Sequence, residues 1–271
     1  MKNSKSYKIW QIIYPIGIYY VVSSLVYFFL GILLGTDTES YMMRQLICAA
    51  LTIPAIMPFY QQDKQIENNV YGVQKITWNA KLLRDIVLVV ASGMTLGIAV
   101  NNIIAMTPLI EKSAGFTQAN ESFFAGQMIY ELLGSCLLIP IAEELLYRGI
   151  VYKRLRLMVG VMPAILCSAL IFGIMHVNVV QFIYAGILGL LLAFLLERTR
   201  CLYAPILAHI AANVAAVVRQ ETGVLSFSYE PTAAGIGFTV AMLLIAAGLI
   251  WYQIRLYQDE KAYVKIDKEL S

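Results

Sequence analysis

Hydrophobic and polar residues in this chain are sorted into long blocks, not alternated at the period of a strand or of one helix face. Eight apolar stretches run roughly from Ile9 to Leu34, Met43 to Tyr60, Ile86 to Leu109, Phe124 to Tyr152, Val159 to Val177, Val179 to Leu196, Leu202 to Val218 and Ala233 to Tyr252. About 20 helical residues cross the hydrocarbon core of a bilayer, and each stretch reaches or approaches that length. The pattern predicts an all-α, polytopic membrane helix bundle of about eight transmembrane helices, one membrane domain over residues 1–271. The second stretch is short and carries Pro54 and Pro58, which predicts a kink or a re-entrant turn there. The connection from Gln61 to Asp85 reads as a cytoplasmic loop or amphipathic segment. The first stretch is too long for the apolar part of a cleavable signal and lacks a small-residue cleavage site, so it is expected to stay as a span.

Composition agrees with this pattern. Hydrophobic residues make up 59% of the chain and charged residues 14%, and the mean hydropathy is +0.70, a balance no soluble core of this size requires. With the N-terminus in the cytoplasm and all eight stretches crossing, all but four of the 20 lysines and arginines fall on the cytoplasmic side. The exceptions are Arg44, Lys112 and Arg219 in outer loops and Arg148 within the membrane. This asymmetry predicts eight spans with both termini cytoplasmic. It also accounts for the net charge of +3 without a nucleic-acid partner; the partner the composition calls for is the lipid bilayer. The four cysteines, Cys48, Cys136, Cys167 and Cys201, follow no framework or metal-site spacing and read as small packing residues.

An ionisable side chain at membrane depth costs at least ~2.5 kcal/mol on insertion scales. Those that fall there are Glu131, Glu143, Glu144 and Arg148 on the fourth stretch, His176 on the fifth and His209 on the seventh, joined by the neutral Asn213. Both histidines of the chain are in this set. On a helix Glu144 and Arg148 are four residues apart and share a face, the geometry of a self-neutralising pair. Glu143 lies about 100° round the helix from Glu144, so the same arginine serves it less well. The spacing assigns Glu144 and Arg148 to a structural ion pair and leaves Glu143 free to face something else. A carboxylate without a counter-charge in a low-dielectric site suits general-base work near neutral pH.

The other two stretches add donors. Phe172 stands one turn before His176 in FGIMH, and His209 one turn before Asn213 in HIAAN. Counted at 1.5 Å per residue, Glu143, His176 and His209 lie about 15, 20 and 12 Å from the inner ends of their helices, so three helices deliver polar groups to overlapping depth. The set matches what is needed to add water to an amide carbonyl. Glu143, aided by His176, would hold and deprotonate the water, and His209 with Asn213 would donate hydrogen bonds to the oxyanion.

These three motifs, EELLYR, FGIMH and HIAAN, resemble the EExxxR, FxxxH and HxxxN motifs of the CPBP intramembrane proteases, the ABI or CAAX-protease and bacteriocin-processing family that includes the type II CAAX prenyl endopeptidases. The resemblance covers about residues 124–218. It implies an eight-helix bundle with a water-accessible cavity, with catalytic roles for Glu143, His176, His209 and Asn213 and supporting roles for Glu144, Arg148 and Phe172. It implies an endopeptidase acting on a membrane-associated peptide or protein, in peptide maturation, CAAX-type processing or bacteriocin-related immunity. The lack of large extramembrane domains suggests a compact member of a bacterial cell membrane. Substrate and oligomeric state are not assigned by the sequence.

Glu143, His176 and His209 also have the composition of a His2Glu zinc site. A metal-free mechanism is favoured, because zinc bound by Glu143 would leave only the Arg148-paired Glu144 as base. The competing reading is a non-catalytic immunity or scaffold protein that uses the same cluster for peptide binding. A transporter fits less well, since no inverted repeat is evident. Glu131 is expected nearer the outer end, at an interface or a solvent path. Gly93 with Gly97, and Ala185 with Gly189, read as close helix packing. Asn101 and Asn102 are expected to line the cavity or bond between helices, and Pro140 to open the fourth helix toward the site.

Overall fold

The computed structural model describes residues 4–71 and 76–270, and side chains throughout these except at 5, 70–71 and 260–270. Of the basic residues assigned to the cytoplasmic side, Lys2 and Lys75, and the side chains of Lys5, Lys261, Lys265 and Lys268, lie outside the described residues.

Every apolar stretch forms helix, and polar caps set the boundaries. α1 (Lys5–Leu34) starts where the Ser4 hydroxyl accepts the Tyr7 N–H at 3.2 Å, and stops at Gly35, whose φ of +86° only glycine adopts readily. In the turn that follows, the Ser40 N–H donates to Asp37 at 2.8 Å and holds that carboxyl below its usual range. α2 (Tyr41–Tyr71) runs unbroken through Pro54 and Pro58, so the second stretch is neither re-entrant nor interrupted. Most of the Gln61–Asp85 connection is helix as well, because α3 (Ala80–Ala105) begins soon after, with the Asn79 side chain accepting the Leu82 N–H at 2.9 Å.

The fourth stretch departs most from a simple span. A short helix, α4 (Ala114–Phe123), buries none of its residues, and α5 (Met128–Val159) leaves it at a bend of 111°. Within α5 two π-helical turns, Gly134–Leu138 and Tyr147–Tyr152, flank the α-helical turns Ile139–Leu146 that carry Glu143 and Glu144. The bundle continues with α6 (Val161–Ile174), α7 (Val179–Thr199), α8 (Tyr203–Thr222), a 3-10 turn at Ser226–Tyr229, and α9 (Ala233–Leu270).

The chain is an all-α integral membrane protein. Among the described residues five helices, α1, α2, α3, α7 and α9, are long and apolar enough to cross a bilayer, and a sixth if the bent α4–α5 pair is one span. The expected eight is therefore not reached by length and composition alone. α6 has 14 residues, about 21 Å against a hydrocarbon core of about 30 Å, and α8 carries His209, Asn213 and Arg219 in place of apolar side chains.

Close contacts between small residues hold the helices that carry the site. A Cβ on Gly93 would lie 2.2 Å from the Ala208 carbonyl oxygen, and one on Gly97 2.9 Å from the Ala212 Cβ. The glycine pair thus seats α3 directly on α8. Gly189 lets α7 approach Ala169, Phe172 and Arg148 in the same way.

At one end of the bundle charges interlock. Glu197, 1% exposed, accepts from Arg156, Arg200, Tyr152 and Tyr257 at 2.6 to 3.1 Å and so ties α5, α7 and α9 together. Arg198 donates to Asp85 of α3 at 3.1 Å, and Arg154 makes a two-pronged pair with Asp63 of α2.

Two stability measurements on detergent-solubilised protein check this packing. Gly93→Ala is expected to lose about 1–3 kcal/mol through overpacking, seen as a lower thermal midpoint. Gly186→Ala, with nothing within 4 Å of its Cβ, should leave the midpoint nearly unchanged. Glu197→Ala removes the buried acceptor shared by four side chains and is expected to cost about 1–3 kcal/mol, whereas loss of the half-exposed Arg200 side chain, by Arg200→Ala, should cost about 1 kcal/mol or less.

Candidate active site

α5 places Glu143 and Glu144 on different faces, as their spacing requires. Glu144 and Arg148 are both 0% exposed, and Arg148 Nη1 donates to Glu144 Oε1 at 2.8 Å. The other guanidinium nitrogen donates to the Gly189 carbonyl of α7 at 3.3 Å, and the group stacks 4.3 Å from the Phe172 ring centre. The pair is not isolated, however. His209 Nδ1 lies 2.9 Å from the same Oε1 of Glu144, a contact the helical spacing gave no sign of, because it joins α5 to α8. With the oxygen that accepts from Arg148 as the acceptor here too, Nδ1 carries a proton and Nε2 is turned away from Glu144.

Nε2 is turned toward Glu143, whose Oε2 is 3.8 Å distant. Glu143 lines a cavity of about 690 Å³, and Phe172, His176, His209 and Asn213 share its wall. The volume falls within the range of small-ligand and peptide sites. Phe172 is the spacer of the group, with ring centres at 4.9 Å from His176 and 5.8 Å from His209, both edge-on. His176 Nδ1 lies 2.9 Å from the Phe172 carbonyl. A carbonyl only accepts, so Nδ1 donates and the Nε2 of the neutral ring bears the lone pair.

Asn213 has a second employment. Its Nδ2 donates to the Ser135 carbonyl at 2.8 Å. In the π turn Gly134–Leu138 the Ile139 N–H reaches back to Gly134, and at the same spacing the donor for Ser135 would be residue 140. Residue 140 is proline and has no N–H. Pro140 thus frees a carbonyl inside the bundle, and Asn213 of α8 satisfies it. The proline expected to open the fourth helix toward the site instead creates the acceptor that draws α8 onto α5.

Glu131 departs from expectation. It is 0% exposed, not at a solvent path, and neither of its carboxyl oxygens has a hydrogen-bond partner. The paired asparagines divide the roles expected of them. Asn101 lines the cavity, while Asn102 is buried, donating to Thr239 at 3.0 Å and accepting from Arg219 at 2.6 Å. The sequence reading missed the contribution of α1, whose Tyr19 and Tyr20 line the cavity, with the Tyr20 hydroxyl 2.8 Å from that of Tyr147. The signal was there in two adjacent tyrosines at mid-span, where interfacial anchoring does not explain them. The face of α4 that carries Phe116 and Asn120 was missed too.

The zinc alternative can be tested on the donor set. Among the described residues no three His, Cys, Asp or Glu side chains are gathered closely enough to hold a metal ion. The residues as placed do not fit the ion, and no step is routed through one.

Bundle, buried ion pair and polar cavity together define a membrane protein with an intramembrane polar site, and comparison with known proteins narrows the class. Residues 125–215 match the family described as Type II CAAX prenyl endopeptidase Rce1-like. Over 81 residues the chain is 35% identical to the Bacillus subtilis (strain 168) protein named "Putative membrane peptidase YdiL". That alignment covers 30% of this chain and 33% of the relative, so the chain spans about a third of the relative it matches. No solved structure matches. The family match falls on the segment that carries Glu143, Glu144, Arg148, Phe172, His176, His209 and Asn213.

Removal of Arg148 tests the buried pair. Arg148→Ala leaves Glu144 with His209 alone and is expected to cost about 3–5 kcal/mol, read as a thermal midpoint in detergent. Arg148→Lys keeps the charge but loses the planar stack and the reach to Gly189, and should lie between the two.

Proposed function

We propose that this protein is an intramembrane endopeptidase that hydrolyses a peptide bond of a membrane-associated peptide or protein, with Glu143 as the base that activates water. One observation carries the reading. Of the two adjacent glutamates, the buried Glu144 takes both Arg148 and His209 on one oxygen, while the partly exposed Glu143 stands on the cavity wall 3.8 Å from an imidazole nitrogen.

In this mechanism Glu143 takes a proton from a water molecule as its oxygen attacks the carbonyl carbon, and the carbonyl π electrons move to oxygen. His176 Nε2, left with its lone pair, accepts the water's other hydrogen and aims it. His209 Nε2 and the second amide hydrogen of Asn213 donate to the oxyanion. Glu143 then passes its proton to the amide nitrogen, the C–N bond breaks, and a carboxylic acid and an amine leave. For His209 to donate from Nε2 while Nδ1 donates to Glu144, the ring must be an imidazolium. Two carboxylates, one guanidinium and one imidazolium sum to zero, which suits a site removed from water.

The non-catalytic reading has one observation in its favour: His209 Nδ1 and Asn213 Nδ2 are already engaged in interhelical bonds, as a scaffold would need. The same bonds preorganise donors for catalysis, so the two readings part on Glu143. The deciding experiment incubates purified protein with lipid-linked peptides and follows product release. Glu143→Gln is expected to lower kcat/KM by about 10²–10⁴ at unchanged thermal midpoint. Cleavage retained in Glu143→Gln refutes the base assignment. Loss on chelation that zinc restores overturns the metal-free mechanism.

A further inference from the structure

Charges in the described chain are sorted by face. At one end Arg154, Arg156, Arg198 and Arg200 gather around Asp63, Asp85 and Glu197. α1 reaches that end, where Arg154 bonds Gln11 and Tyr14, and so does α9, through Tyr257 and Glu197. At the other end Lys112 is the one exposed cation among the described residues. Arg44 and Arg219, expected in outer loops, are 4% and 3% exposed. Arg44 is turned onto the Tyr27 ring, and Arg219 onto Tyr229, Asn102 and Ser228.

The cavity belongs to this second end. Its wall takes Tyr41 from the start of α2, Asn101 from the last turns of α3, Gln181 from the start of α7 and Gln220 from the end of α8. Gln220 is exposed, so the cavity reaches the surface beside it. α4, folded across at 111° to α5, presents Phe116 and Phe123 to the same opening. Five exposed carboxylates, Glu39, Glu111, Glu121, Glu221 and Glu230, each lie within two residues of a side chain that lines the cavity.

The basic end of a membrane bundle faces the cytoplasm, which sets the opening on the opposite side. We infer that the cavity takes its peptide from the extracytoplasmic face, and that its acidic rim selects a segment with basic residues beside the scissile bond. The inference rests on the endopeptidase reading only for its second half; orientation is independent of activity. A cationic segment is attracted by a rim of five carboxylates wherever it passes within the screening length of about 8 Å at physiological salt. The apolar face of α4 at the mouth suits a segment that leaves the lipid there, such as the juxtamembrane stretch of an anchored peptide.

Two experiments test this. Single cysteines introduced by Gln220→Cys and Gln65→Cys, in a form with the four native cysteines replaced, are exposed to a membrane-impermeant thiol reagent in intact cells. Labelling at 220 and protection at 65 is the expected result; the reverse overturns the orientation. Should the cysteine replacements prevent folding, the second experiment stands alone, with the unaltered protein. Anchored reporter peptides are displayed on either side of the membrane with lysine, neutral or glutamate flanks, against a Glu143→Gln control. Cleavage is expected only of peptides on the extracytoplasmic side, at least about tenfold faster for lysine than for glutamate flanks, with the ratio reduced in Glu121→Gln/Glu221→Gln. Cleavage of cytoplasmic peptides, or equal rates for both flanks, overturns the inference. Outward labelling with no cleavage of any peptide overturns the rim's role as a substrate selector and the endopeptidase reading, and leaves the orientation standing.

Discussion

A single carboxylate oxygen, Glu144 Oε1, receives both Arg148 and His209, and the arrangement of the site follows from it. A glutamate and an arginine at full burial are tolerable only when each neutralises the other and their remaining polar atoms find partners. The i,i+4 spacing supplies the first condition within α5. The second is met in part by other helices, because Arg148 extends to the Gly189 carbonyl of α7 and His209 comes across from α8, while Glu144 Oε2 and Arg148 Nε are left without a hydrogen-bond partner. One charge pair therefore fixes three helices, and it also decides which nitrogen of His209 is turned to the cavity.

Packing and polarity cooperate in bringing these helices to hydrogen-bond range. In lipid the association of helices depends on close contact and on interhelical bonds more than on apolar burial. Gly93 and Gly97 allow the backbone of α3 to lie on Ala208 and Ala212, the two alanines that bracket His209. The same α8 carries Asn213, held by Ser135. α8 is thus positioned by small residues on one side and by polar bonds on the other, which explains how a helix too polar to stand among the plain apolar spans has its place in the bundle.

Much of this was legible in the sequence. The eight apolar stretches are all helical, the spacing of Glu144 and Arg148 foretold their pair, and the residues of the three motifs do line or back one cavity. What remained illegible has physical causes. Pro54 and Pro58 suggested a kink or a re-entrant turn, yet α2 runs through both prolines as one helix. Glu131 lies near the outer end as expected, but packing of neighbouring helices closes it off from solvent, which the sequence does not report. The number of full crossings came out lower by length and composition because α6 is short and α8 polar. Contacts between helices, such as His209 with Glu144 and Asn213 with Ser135, depend on tertiary arrangement and leave no local pattern.

The Pro140–Ser135–Asn213 relation has a consequence for how such a site persists through sequence change. Its acceptor is a main-chain atom made available by an imino acid less than one helical turn from Glu143, so the bond to Asn213 does not itself depend on which side chain occupies position 135. Change at the serine leaves that carbonyl in place, whereas replacing the ring at 140 by any ordinary amino acid restores a competing amide and weakens the neighbouring helix's grip. Inheritance of the active geometry is thereby stored in a backbone defect.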